Sequence, residues 1–217
     1  MGGRNLKENM IKKNLKSEIY YIYDKNNKNT EVVFSFFCKI FPDDKKVYYF
    51  PLIKKLLTGG MQSILMKRLR VQLHIIYNIQ IYIDTNVLGT IITIETTVKN
   101  NKTSQLIREV KKMLTNLVSG KLNMSDLNRV KDVFQIIKDT ECWNPVNLGN
   151  FYGHQFITQI YKKNPIIVKH TNIKKMIMKV TKKDIIQMCR EMFQLDKCLI
   201  IYQSPKKMNK TRKNFTF

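Results

Sequence analysis

The sequence predicts an α+β fold with a mostly antiparallel β-sheet and helices packed on one face of it. Several short segments are rich in β-branched and aromatic residues, as in strands, whereas longer segments carry apolar residues every three or four positions, as in helices. The predicted order is two strands, two helices, two strands, several helices and a closing strand. With 217 residues and 43% hydrophobic content, the chain can bury a sizeable core without disulfides or metals.

The first half of the chain begins with strands predicted at Glu18 to Tyr23 and at Glu31 to Phe41. A helical segment should follow from Pro42 through Leu57, and Pro51 in its middle should kink or split it by removing an internal hydrogen bond. Gly59 and Gly60 should end that segment, because glycine permits positive φ.

A second helix is predicted from Gln62 to Val71, followed by an antiparallel pair of strands at Ile75 to Ile83 and Thr90 to Val98. In the first of these strands the odd-numbered positions are isoleucine except for Tyr77. The alternation alone leaves two interpretations of Tyr77 open, a core aromatic and a site residue.

The second half is predicted to be mainly helical. Apolar stripes, capping residues and chain breaks define its segments. They are a helix with a stripe from Leu106 to Val118 that stops at Gly120, a helix capped by Ser125, a segment from Asn144-Pro145 to Ile160, a helix from Lys182 to Phe193 opened by Thr181 and Asp184, and a strand from Cys198 to Gln203.

We expect a polar leader over residues 1–16, one domain over residues 17–204, and a basic, disordered tail over residues 205–217. The net charge of +23 would attract nucleic acid or another acidic partner, above all through this tail. However, the lysines are scattered among asparagines and isoleucines, as expected for an AT-rich coding sequence of a virus or parasite. Compositional bias therefore accounts for much of the charge.

The four cysteines, Cys38, Cys142, Cys189 and Cys198, are far apart and form no Cys-x-x-Cys pair. We therefore expect a reducing intracellular compartment, the cytoplasm, or the host cytoplasm or virion for a viral protein. The longest apolar run, from Leu73 to Ile83, is too short to cross a bilayer, so no membrane association is expected.

The stretch from Thr58 to Arg70 resembles part of a known active site. In the insulinase/pitrilysin (inverzincin) family of zinc peptidases, a glycine turn opens a helix of the form Ser-x-Leu-x-x-x-Leu-Arg, and a tyrosine follows on the next strand. The corresponding residues here are Ser63, Leu65, Leu69, Arg70 and Tyr77. The resemblance extends over roughly Ser17 to Ser204, with further similarity at Asn123 to Lys131 and at Val180 to Phe193.

The family's zinc motif, His-x-x-Glu-His, is absent. None of the three histidines, His74, His154 and His170, is followed by the Glu-His pair at the required spacing. The chain therefore resembles the C-terminal-type domain that lacks the motif, and we expect it to bind no metal and to have no catalytic residue of its own. Other positions also depart from the family pattern, since Val71, His74 and Ile76 replace its usual Glu, Gly, and Gly or Ala.

The resemblance implies a chamber formed with a zinc-bearing domain, in which Arg70 and Tyr77 bind the peptide substrate near the zinc. Zinc is then expected on a partner subunit, and self-association is the other possible pairing. Three functions stay open at this point: a non-catalytic peptidase subunit, a pseudoenzyme scaffold such as those of respiratory complexes, and a basic nucleic-acid-binding protein. The structural alternative for Arg70 is a surface arginine at a helix end, where the helix dipole favours a positive charge.

Overall fold

The computed structural model describes residues 17–141, 144–159 and 167–205, and its sheet has five strands. The strands are β1 (Glu18–Tyr23), β2 (Thr30–Cys38), β3 (Ile76–Asn86), β4 (Gly89–Val98) and β5 (Leu199–Ser204). Their spatial order is β1-β5-β2-β4-β3. The β1–β5 pair is parallel and the other three pairs are antiparallel, so the predicted α+β fold with a mostly antiparallel sheet is confirmed.

The described helices lie between β2 and β3 and between β4 and β5. They are α1 (Phe50–Thr58), α2 (Ile64–Met66), α3 (Thr103–Val118), α4 (Met124–Glu141), α5 (Pro145–Gln159), α6 (His170–Lys179) and α7 (Lys182–Met192). Three short 3₁₀ segments, Lys45–Tyr49, Asn100–Lys102 and Leu195–Lys197, complete the connections, and α2 continues as a π-helix over Lys67–Gln72.

Within the described residues, one face of the sheet packs against the helices and the other is open. Alternate residues of β2 are buried, and their neighbours are more exposed. The buried row joins the helices in one core, whose largest fully buried side chains are Phe34, Phe36, Phe193, Ile40, Leu52, Ile53, Leu56, Leu57, Leu65, Leu69, Ile79 and Ile81. Because the described helices cover only one face, they leave the side chains of the open face available for binding.

The predicted helical segment is split in two near Pro51, as expected, but Pro51 does not lie in the middle of a helix. A 3₁₀ helix ends at Tyr49 and α1 begins at Phe50, so Pro51 lies in the first turn of α1. A proline is tolerated there because the first backbone N–H groups of a helix have no intrahelical partner. Gly60 adopts φ 98° just after α1, which agrees with the predicted glycine turn.

Several predicted boundaries are wrong by a few residues. Strand β2 stops at Cys38 rather than Phe41, and β3 runs on to Asn86, where a two-residue turn leads into β4. Helix α4 begins at Met124, so Ser125 lies inside its first turn and is not the residue that precedes it. Helix α6 had no counterpart in the sequence-based prediction.

The predicted leader (1–16) and almost all of the predicted tail (205–217) lie outside the described residues, as does Cys142. Among the described helices, none is both long and apolar enough to cross a membrane.

Candidate functional site

Tyr77 lies on the open face of the sheet because β3 contains a bulge. Ile76 pairs with Val98 and Ile79 pairs with Thr96, so two residues of β3 oppose the single residue Thr97 of β4. This extra residue takes Tyr77 out of the buried isoleucine row. Its side chain is 79% exposed. The interpretation of Tyr77 as a core aromatic is therefore wrong.

Arg70 lies against this tyrosine. The guanidinium carbon of Arg70 lies 4.5 Å from the centroid of the Tyr77 ring, within the range of a cation–π contact. Arg70 is half-buried and lies in the last turn of the π-helix. Sequence reasoning named both residues, and the structure brings them together at the edge strand.

The helix that carries Arg70 is anchored through Arg68. The Arg68 Nε atom donates to Glu109 Oε2 of α3 at 2.9 Å, and its Nη1 atom donates to Gln72 Oε1 at 3.2 Å. Glu109 is only 9% exposed, and the hydrogen bond from Arg68 lowers the pKa of its carboxyl group. Glu109 is a charged residue within the predicted helix whose apolar stripe runs from Leu106 to Val118, and this was the sequence signal for a buried charged pair. The sequence did not identify Arg68 as its partner.

Ser63 has a structural role in the glycine turn. It is fully buried, and its Oγ atom donates to the Gly60 carbonyl oxygen at 2.6 Å. Its own carbonyl accepts from the Lys67 N–H at 2.8 Å. The serine of the motif thus joins the turn to the start of the helix, and it does not reach the open face.

The predicted helix over Gln62 to Val71 differs from the observed one, which begins at Ile64 and becomes a π-helix at Lys67. Its end is closed by bonds from Leu73 N–H to the Arg68 carbonyl and from Ile75 N–H to the Leu69 carbonyl. His74 lies between these two donors and adopts φ 51°. This left-handed conformation explains why glycine suits the position.

The π-helix, the positive φ of His74 and the β-bulge all occur between Lys67 and Ile79. Each departs from regular geometry, and such departures are common next to functional sites. Together they place a cationic fork and a phenol side by side on an exposed edge of the sheet. These groups can donate hydrogen bonds to a carbonyl or carboxylate oxygen.

The open face carries negative charge although the chain is strongly basic. The five strands contain no lysine or arginine, whereas Glu18, Glu31, Asp84 and Glu95 are exposed on them. Within the described part of the chain, the ion pairs found involve none of these four carboxylates. A polyanion such as nucleic acid is therefore disfavoured on this face, and the basic residues within the described ranges lie on helices and loops.

Other reactive groups do not form a site in the described regions. Burial raises the pKa of the Cys38 thiol to about 11 and the pKa values of Cys189 and Cys198 to about 12. These three buried cysteines are therefore protonated and unsuited to act as nucleophiles. Among residues 17–141, 144–159 and 167–205, no three His, Cys, Asp or Glu side chains come together as a metal site.

The sequence of the chain also matches a known protein family. The sequence model described as the peptidase M16 inactive domain matches residues 7–134, more than half of the chain. The chain belongs to this family. The resemblance to a peptidase domain of the type that lacks the zinc motif is thus confirmed. A comparison with curated proteins gives no match.

Solved structures with this fold include other peptidase M16 domains. A protease from Helicobacter pylori superposes with a TM-score of 0.75 at 12% identity, over 88% of this chain and 45% of that one. A peptidase M16 inactive domain from Pseudomonas fluorescens gives 0.73 at 13% identity, over 90% and 45% of the two chains. A chain of complex III from Candida albicans gives 0.70 at 8% identity, over 87% and 46%. These TM-scores establish the shared fold, and at such low identities the likeness shows the fold alone. The M16 chain spans less than half the length of each of the three.

Proposed function

We propose that this M16 domain is a non-catalytic peptidase subunit that completes a chamber with a zinc-bearing His-x-x-Glu-His partner. In this proposal Arg70 and Tyr77 bind the peptide. The observation that carries it is the exposed Arg70–Tyr77 contact on the open face, in a chain of the inactive peptidase family.

The chemistry of the pair suits a peptide carbonyl. Attack on a peptide bond develops negative charge on the carbonyl oxygen, and the partner's zinc would activate the attacking water. A guanidinium and a phenol stabilise that charge through charge-assisted hydrogen bonds. Here the ring of Tyr77 also holds the guanidinium in place, so less side-chain entropy is lost when the peptide binds.

The test is affinity purification of the chain from its native cells, with identification of the bound proteins and zinc analysis of the eluate. We expect a His-x-x-Glu-His protein in comparable amount, and peptide hydrolysis that needs both subunits. Arg70→Ala and Tyr77→Ala should then each reduce kcat/KM of the reconstituted pair by roughly 100-fold or more, the range for loss of one charge-stabilising donor. Lys121→Ala, a substitution at an exposed position beyond the end of α3, serves as the matched control and should leave turnover unchanged.

A second candidate function is a structural subunit of a larger assembly. The similarity to a chain of complex III is the observation that favours it. In that case the purification recovers a large complex without zinc, and the Arg70 and Tyr77 substitutions leave its activity unchanged. The two functions therefore differ in both the zinc content of the eluate and the response to substitution.

A further inference from the structure

Asn78 shares the exposed bulge with Tyr77. Both residues face Thr97, and both side chains are exposed on the open side of the sheet. In a regular strand, consecutive side chains point to opposite faces, and Asn78 would then lie on the other face from Tyr77. The bulge thus brings Tyr77 to the open face, next to the side-chain amide of Asn78.

Thr96 holds the bulge from the other side. Its side chain is buried, with 6% exposed, and its Oγ1 atom donates to the backbone carbonyl oxygen of Asn78 at 2.5 Å. A bulge leaves one residue outside the regular ladder, so its backbone groups need other partners. Thr96 supplies such a partner and leaves the Asn78 side chain facing outward.

We propose that Asn78 is a third peptide-binding residue of the Arg70–Tyr77 site, and that Thr96 positions both bulge residues. This inference rests on the proposed function of the chain in peptide binding. An asparagine amide carries a donor and an acceptor, so it matches the C=O and N–H groups of an extended peptide main chain. Arg70 and Tyr77 offer donors to carbonyl oxygens, whereas Asn78 also accepts from a peptide N–H.

The binding test uses fluorescein-labelled casein, an unfolded polypeptide, with the full chain and fluorescence anisotropy as the readout. Asn78→Ala leaves the backbone carbonyl that Thr96 binds in place and removes only the side-chain amide. We expect it to weaken binding by roughly threefold to tenfold, the effect of one or two lost hydrogen bonds. Asn29→Ala, an exposed asparagine before β2, is the matched control and should bind as the unaltered chain does.

The positioning role of Thr96 has its own readout. The Arg70 side-chain protons lie over the Tyr77 ring and should show an upfield ring-current shift in the NMR spectrum. Thr96→Val keeps the shape but removes the hydroxyl, so this shift should shrink and casein binding should weaken. Thr96→Ser should restore both, whereas Thr93→Val, on the same strand and opposite Tyr82, should change neither.

The outcomes separate this inference from the proposed function. If Arg70→Ala weakens casein binding and Asn78→Ala does not, Asn78 is not a binding residue but the peptide-binding function stands. If the unaltered chain binds no casein, or if Arg70→Ala has no effect, peptide binding by this face is itself wrong. An unchanged Arg70 shift in Thr96→Val would overturn the positioning role.

Discussion

The Arg70 guanidinium packs on the Tyr77 ring at 4.5 Å, and the two residues reach this contact from different elements. Arg70 comes from a π-helix that Arg68 fixes to Glu109, and Tyr77 comes from a bulge that Thr96 fixes to β4. The contact therefore depends on two local irregularities, each with its own hydrogen bond to the surrounding structure. Its strength and its anchors can be tested separately.

The contact itself should contribute little to folding. We expect a double-mutant cycle of Arg70→Ala and Tyr77→Ala to give a coupling free energy of about 0.5–1 kcal/mol, typical of an exposed cation–π pair. Urea unfolding at neutral pH measures it. Tyr77→Phe keeps the aromatic face and should retain most of the coupling. A coupling near zero would mean that the two side chains do not hold one another in solution.

The Arg68–Glu109 pair should make stability depend on pH. Hydrogen bonding to Arg68 lowers the pKa of Glu109 in the folded state, so its contribution is fully present above the unfolded value of about 4.3. That contribution is lost as the pH falls from there through the folded pKa. Because Arg68 is partly exposed, we expect Glu109→Gln to cost about 1 kcal/mol at pH 7.

Urea unfolding of both proteins between pH 7 and pH 3 checks this sign. The difference in unfolding free energy between the unaltered chain and Glu109→Gln should decrease as the pH falls. Glu95→Gln is the control, because Glu95 is exposed on the sheet and has no arginine partner among the ion pairs of the described residues. A constant difference across this range would show that the Glu109 charge is not what stabilises the fold.

The sequence predicted the sheet and the pairing of Arg70 with Tyr77 better than it predicted the reason for their exposure. Periodicity identified β3, but a strict alternation places Tyr77 in the buried row. The bulge that reverses this depends on a bond between Thr96 and Asn78, which are 18 positions apart, so no local pattern reveals it. The π-helix contacts β3 and is bonded to α3 through Arg68 and Glu109, and contacts between segments so far apart in the sequence leave no local pattern either.

His74 gives a test of backbone strain near the site. At φ 51° a side chain with a Cβ atom is disfavoured, and the penalty is greatest for β-branched residues. We expect His74→Gly to be at least as stable as the unaltered chain, and His74→Val to lose about 1 kcal/mol or more. Thermal or urea unfolding measures the order of stability of the three proteins. Equal stability of the three proteins would indicate that the π-helix ends in another conformation in solution.

The start of α7 gives a prediction away from the site. Its capping interactions were predicted from the sequence alone. Thr181 and Asp184 form the predicted capping box: Asp184 N–H donates to Thr181 Oγ1 at 3.2 Å, and Thr181 N–H donates to Asp184 Oδ2 at 2.8 Å. Thr181→Ala should cost about 1 kcal/mol, the usual value for a lost cap, whereas Thr181→Ser keeps the hydroxyl and should cost much less.

The same cap should respond to pH in a defined direction. Hydrogen bonds from the Thr181 hydroxyl and N–H groups lower the pKa of Asp184, so the cap stabilises α7 above the unfolded pKa of about 3.9 and weakens as the pH falls below it. Unfolding free energies of the unaltered chain and Asp184→Asn should therefore converge in acid. Helix α7 packs on α3 and β2, and its buried residues are Ile185, Met188, Cys189 and Met192. The first turn depends more on the cap, so loss of the cap should also speed amide exchange there. Exchange that stays unchanged in Thr181→Ala would mean that packing alone holds this helix end.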